Sequence, residues 1–141
     1  MITVVMGPPG AGKSTFVAEH RKPGDVVVDF DAMALAMGAG LSHDRPEPVG
    51  QVVFAARTAA IARIFEGIDA DAWVIQGNLS PEHIRKWGDD GARFVVVDPG
   101  KDVTLEQARA DGRPQSTFDV IDEWYANPTD VPAEYLSLIH I

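Results

Sequence analysis

The residues with the clearest chemistry are Gly7-Pro8-Pro9-Gly10-Ala11-Gly12-Lys13-Ser14, a complete G-x-x-x-x-G-K-[ST] pattern. Glycines in such a loop let successive backbone N–H groups turn inward around phosphate oxygens. An amine at Lys13 meets the β- and γ-phosphates of a nucleotide such as ATP, and the Ser14 hydroxyl can ligate Mg²⁺. The pattern has this meaning between a buried strand and a helix, whose positive dipole end then faces the same anion. The apolar run Ile2–Met6 supplies the strand, and residues 13–20 read as the helix. The expected phosphate cradle is therefore Gly7, Pro8, Pro9, Gly10, Ala11, Gly12, Lys13, Ser14 and Thr15, with Ser14 at the metal.

Two further groups add to this loop. Asp29 and Asp31 follow the apolar run VVV. A carboxylate at a strand end, near a bound γ-phosphate, can accept the proton of an attacking hydroxyl. Asp31, just past the strand, is the expected base; Asp29 either serves it or simply caps the next helix. Arg109 and Arg113 lie four apart across the turn Ala110-Asp111-Gly112. If Arg109 ends a helix and Arg113 sits on the loop beyond, both can fold over a triphosphate and stabilise charge in phosphoryl transfer. Arg109 is also expected to touch the bound nucleotide. Weaker candidates are Gln76 and Asn78, and the basic residues Arg57, Arg63, Arg85 and Lys86. Each of these four could touch a phosphorylated acceptor, but a solvated helix position is the simpler account. His20, His43, His83 and His140 lack metal-ligand spacing and read as surface residues, while Trp73, Trp87 and Trp124 read as packing.

The elements that must position these groups alternate along the chain. Apolar runs at 2–6, 25–30, 72–76 and 92–97 predict four strands. Helices are predicted over 13–20, 31–37, 52–66, 81–87, 103–110 and 117–125, with a mobile loop at 38–49. Such alternation argues for an α/β fold, a three-layer sandwich around a central parallel sheet, in one domain spanning 1–141. Ligands of such sheets sit beyond the carboxyl ends of the strands, just after Met6, Phe30, Gln76 and Val97. The apolar end, 136–141, reads as a last edge strand or a remnant of truncation.

Composition narrows the function classes. The chain has 141 residues, 45% hydrophobic and 23% charged, which excludes disorder, coiled coils and collagen-like repeats. No apolar run approaches a membrane span, and the first residues lack the pattern of a signal peptide. Without cysteine there is no disulfide scaffold, and a cytoplasmic location is expected. Twelve basic against 21 acidic residues give a net charge of −9, so broad duplex binding is not expected. Contact with nucleic acid would be confined to a local basic pocket.

Taken together, the loop, Asp29-Phe30-Asp31-Ala32-Met33, Gln76-Gly77-Asn78-Leu79-Ser80-Pro81-Glu82, Arg109 and Arg113 resemble the kinase domain of the polynucleotide 5′-hydroxyl kinase family. The wider group is the small P-loop kinases that include zeta-type toxins. The resemblance implies transfer of the ATP γ-phosphate, with Mg²⁺, to a nucleic-acid 5′ end or a nucleotide-like acceptor. It implies Lys13 and Ser14 at phosphate and metal, Asp31 as base, and Arg109 and Arg113 as lid residues. Toxin-like and small-molecule kinases remain alternatives, as does a nucleotide-binding ATPase or switch without an acceptor. The family's arginine shortly after the base is absent, since Asp31 is followed by AMALAMG, and Gln76 replaces an expected metal-binding aspartate. DFD also resembles the D-x-D of aspartyl-phosphate phosphatases, but Met33 stands where that pattern wants Thr or Val.

Overall fold

A computed structural model describes residues 1–40 and 46–137. Strands β1 (Ile2–Met6), β2 (Val26–Val28), β3 (Ala72–Gln76) and β4 (Arg93–Val96) form one sheet in the order β2-β3-β1-β4. Every neighbouring pair is parallel, so each connection crosses over. The connecting helices are α1 (Lys13–His20), α2 (Phe30–Ala36), α3 (Glu47–Glu66), α4 (Pro81–Asp89), α5 (Lys101–Ala110) and α6 (Gln115–Ala126). A 3₁₀ turn at Ala133–Tyr135 follows. The α/β sandwich expected from the alternation is therefore present. No described helix is long and apolar enough to cross a membrane.

Strand periodicity assigns the two cores. Val28, Val74, Val4 and Phe94 are register partners in one row across the sheet. All four belong to one apolar cluster with Ile61 and Ile64 of α3 and Ile84 of α4. One residue along, Val5 and Val95 face the other way, with Trp73 and with Phe16 and Val17 of α1. Burial on both faces is why these strands read as unbroken apolar runs. Met6 is level with Gln76 on one side and Val96 on the other, so the loops after β1, β3 and β4 emerge along one edge.

Several boundaries differ from expectation, most by one or two residues. The strand expected over 25–30 ends at Val28, because Asp29 caps α2 and Phe30 is already helical. The long helix begins at Glu47 rather than at 52, with proline in its first turn. A proline there forgoes an N–H that would have no helical partner anyway. The last residues of the expected loop 38–49 are thus helical, and 41–45 lie outside the described residues. At the outer edge of β4, Leu136 bridges Phe94 in parallel and Ser137 N donates to Phe94 O at 2.8 Å. The remainder of the expected edge strand, 138–141, is outside the described residues.

Helix α4 meets the 3₁₀ turn at a glycine. A Cβ on Gly88 would lie 2.4 Å from Tyr135 Cδ1 and 2.6 Å from Cγ. The ring is also held by its hydroxyl, which donates to Asp89. Gly88→Ala is expected to lower the unfolding free energy by roughly 1–3 kcal/mol through overpacking. In denaturant unfolding, the loss should shrink in a Tyr135→Ala background; an equal loss in both backgrounds would show that the ring is not what Gly88 accommodates.

Candidate functional site

The glycine-rich loop is shaped by its supports. A Cβ on Gly7 would stand 2.3 Å from Val97 O, so only glycine lets the loop leave β1 this close to the end of β4. Gly10 and Gly12 have φ of 79° and 100°, in the left-handed region. A Cβ on Gly10 would be 3.4 Å from Ala108 Cβ and Thr104 O, so α5 forms the floor of the loop. Lys13 Nζ donates to Gly7 O at 2.6 Å and Pro8 O at 3.1 Å. Burial pulls its pKa down to about 8; the like charge of Arg113 adds to this, and Asp31 and Asp29 oppose it. Ser14 and Thr15, in the first turn of α1, line the cleft with Pro9, Gly10, Ala11, Gly12 and Lys13.

Asp29 joins two elements. Its Oδ1 accepts the Asp31 N–H at 3.1 Å, capping α2, and its Oδ2 accepts the Ser14 hydroxyl at 3.0 Å. The cap and the link to the phosphate loop are thus made by the two oxygens of one carboxylate. Asp31 lies in the first turn of α2, lines the same cleft and raises the pKa of Lys13 through its charge.

The two arginines part company at a glycine. Arg113 N donates to Ala108 O at 3.1 Å and Gly112 N to Arg109 O at 3.0 Å, with Gly112 at φ 65°. This is a Schellman termination, which reverses the chain after α5. Arg113 is thereby carried to the cleft, which has a volume of about 920 Å³. Its Nε is buried and has no hydrogen-bond partner among the described residues. Arg109 stays exposed on α5, its guanidinium 6.0 Å from the centroid of the Phe118 ring, and does not line the cleft. Lys13, Ser14, Asp29, Asp31 and Arg113 are brought together; Arg109 is not.

Other residues were not distinguished by sequence. Asp98 lines the cleft beyond β4, and its Oδ1 accepts from Gly100 N at 3.0 Å and from the Tyr125 hydroxyl at 2.6 Å. Burial and then that carboxylate hold the Tyr125 pKa above its ordinary value. Tyr125 also meets Thr104 Oγ1 at 3.0 Å, tying α6 to α5. Arg57 is a correction: it is half-buried, and its Nη2 donates to Ile75 O at 3.1 Å and to Gln76 Oε1. Its place in sequence was the available signal, between Val53 and Ile61 on the buried stripe of α3. Arg63 and Lys86 are exposed and pair with Glu66 and Asp90. Trp73 and Trp124 are buried, and Trp87 is partly buried against Phe65. His20 stacks on Phe16 at 4.1 Å; His43 and His140 lie outside the described residues.

This donor set suits a polyphosphate. The loop offers backbone N–H groups in a cradle free of side chains at Gly10 and Gly12, Lys13 brings a charge, and Arg113 Nε lacks a partner that a phosphate oxygen would supply. Ser14 and Asp29 form an oxygen pair of the kind Mg²⁺ takes from protein when phosphates and water complete its shell. Among the described residues no three His, Asp or Glu side chains converge to hold a metal by themselves.

The depressed pKa of Lys13 gives a signed pH test. Below about pH 8 the amine is charged in folded and unfolded chains alike, and folding bears the whole desolvation penalty. Between about 8 and its ordinary value, the folded chain binds fewer protons than the unfolded one, so stability rises with pH. The unfolding free energy of the wild type minus that of Lys13→Met should therefore increase as pH is raised through this window. A constant difference would refute the burial of a charged amine.

No family model and no curated relative matches the chain. Solved structures similar in fold include the following two. TT1252 from Thermus thermophilus has a TM-score of 0.52 and 17% identity over 93% of this chain and 86% of that one. The tunicamycin resistance protein of Deinococcus radiodurans has a TM-score of 0.51 and 19% identity over 99% of this chain and 84% of its own. At these identities the likeness establishes the architecture alone: an α/β fold with a parallel four-stranded sheet.

Proposed function

We propose that this protein is an ATP-dependent phosphotransferase that moves the γ-phosphoryl group to a hydroxyl of a nucleotide-like acceptor or nucleic-acid 5′ end. The reading rests above all on the convergence, in one cleft, of the Lys13 loop, the Ser14–Asp29 pair, Asp31 and Arg113. Lys13 and the loop amides bind the β- and γ-phosphates, and Arg113 stabilises charge spread over the transferring group. Ser14 and Asp29 would hold Mg²⁺, which would supply positive charge to offset that of the phosphates. Asp31 receives the proton of the attacking hydroxyl as the new O–P bond forms and the bond from the γ-phosphorus to the β–γ bridging oxygen breaks, releasing ADP. Arg109, exposed on α5 in the present arrangement, acts as a lid residue that closes over the nucleotide. The family resemblance, carried by Asp31, the Gln76–Glu82 stretch and the two arginines, supports a 5′-hydroxyl acceptor. A small-molecule acceptor is the second reading, favoured by the net charge of −9, which repels long polyanions.

The test is labelled γ-phosphate transfer from Mg²⁺·ATP to 5′-hydroxyl oligonucleotides, to nucleosides and to water. Asp31→Asn is expected to lower transfer by roughly 10²–10⁴-fold. ATP affinity should hold or tighten, because the lost negative charge faces Lys13. Undiminished phosphate release in this variant, with no acceptor ever labelled, would make the protein an ATPase rather than a kinase.

A further inference from the structure

The first turns of α3 carry Glu47, Gly50, Gln51 and Phe54 at the spacing i, i+3, i+4, i+7, which puts the four side by side on the helix. With Phe30, the first residue of α2, they line an open cavity of about 650 Å³, a size within the range of small-molecule sites. One wall is anchored, because Phe30 packs on the cluster of Ala34, Ala39 and Val53. The other is not buried by the fold: Phe54 is 64% exposed.

Gly50 is a second and independent sign of a ligand. Its φ is outside the left-handed region, so no turn requires a glycine there. Nor does packing, since a Cβ at this position would meet nothing within 4 Å among the described residues. A glycine within a helix costs stability relative to alanine, because more backbone freedom is lost on folding. That cost has no return inside the protein. What the missing side chain leaves is a bare stretch of backbone between two aromatic walls.

The shape and charge of the cavity limit what can fill it. Two rings beside a bare backbone suit a flat ring, since aromatic pairs attract beyond their buried area. Glu47 is the one charged group among the five lining residues, so an anionic body is disfavoured. Glu47 offers acceptors, and Gln51 both donors and acceptors, to a polar ring edge. The cavity is continuous with the phosphate cleft through Phe30, which lines both. Asp31 follows Phe30 in the chain and lines the cleft as well. A ring seated against Phe30 therefore lies beside the carboxylate proposed as the base.

We infer that the cavity between Phe30 and Phe54 holds an uncharged aromatic ring of the acceptor and so presents the attached hydroxyl to Asp31. This rests on the phosphotransfer reading for the identity of the ligand, while the ring site itself is testable without turnover. The protein, saturated with Mg²⁺ and a non-hydrolysable ATP analogue, is titrated calorimetrically with adenosine and with benzyl alcohol. Ribose and cyclohexylmethanol are their counterparts without an aromatic ring. The wild type is expected to prefer at least one ring compound over its counterpart, and which one it is separates a nucleobase from another aromatic ring. Phe54→Ala should weaken that compound by roughly 2- to 10-fold, the range for one aromatic pair, and leave its counterpart unchanged. Gly50→Leu, which fills the space beside the backbone, should abolish the preference. The same change should raise the midpoint of denaturant unfolding, because leucine favours a helix where glycine does not. Binding and stability then move in opposite directions, which a purely structural role for Gly50 would not produce. A ring preference absent from the wild type, or retained in both variants, overturns the inference. A preference that both variants lose, in a protein that labels no hydroxyl acceptor, overturns the phosphotransfer reading instead.

Discussion

Lys13 is held by the very loop it serves, and much of the structure follows from that arrangement. Its ammonium sits between the carbonyl oxygens of Gly7 and Pro8, which can converge only if the backbone turns tightly at the end of β1. The turn is fixed from two directions, by the approach of Gly7 to Val97 and by the packing of Gly10 on α5. Partial burial makes the charge expensive, and the nearby cation of Arg113 makes it more so. Asp29 and Asp31 return part of that energy from the β2–α2 side. The cleft is therefore a balance in which two cations are kept close with only partial compensation from Asp29 and Asp31, a state that a bound polyanion would relieve.

Helix α5 makes that balance rigid. Thr104 and Ala108, one turn apart and fully buried, lie beneath the loop. The Thr104 hydroxyl donates to Gly100 O at 2.9 Å and also meets Tyr125, whose hydroxyl reaches Asp98. The residue after the helix's glycine stop is Arg113. The floor of the loop, the link to α6 and the position of the second cation are consequently set by one helix. A displacement of α5 moves all three together, because close-packed contacts shift as units rather than deform.

What the sequence made legible follows the same physics. Strands buried on both faces appear as apolar runs, and the three strands bearing the site's main supports were read to within a residue at their carboxyl ends. The end of β2 was blurred because Phe30 extends an apolar run although Asp29 already caps a helix; local hydrophobicity does not reveal a side-chain cap. The start of α3 was hidden because Pro46, Pro48 and Gly50 look like loop residues, whereas proline in a first turn costs little. The arginine pair could not be separated by spacing. Gly112 decides that one arginine enters the cleft and the other rests over Phe118. Arg57 left a trace in its helical phase, since a charged residue between Val53 and Ile61 falls on the apolar stripe, yet spacing alone cannot show what it meets there.

The charge arithmetic then acquires a spatial meaning. Lys13, Arg57 and Arg113 are three of the 12 basic residues, and all three are partly buried along one edge of the sheet. The surface that remains is more acidic than the net charge of −9 suggests. At physiological ionic strength exposed charges are screened over about 8 Å, so the acidic exterior acts mainly on partners large enough to lie against it. A long polyanion meets that exterior over most of its contact, whereas a short one can reach the inward cations and little else. Selection by size and charge is thus built into the division between surface and cleft. The desolvated cations supply attraction only to a group small enough, or a chain end free enough, to enter.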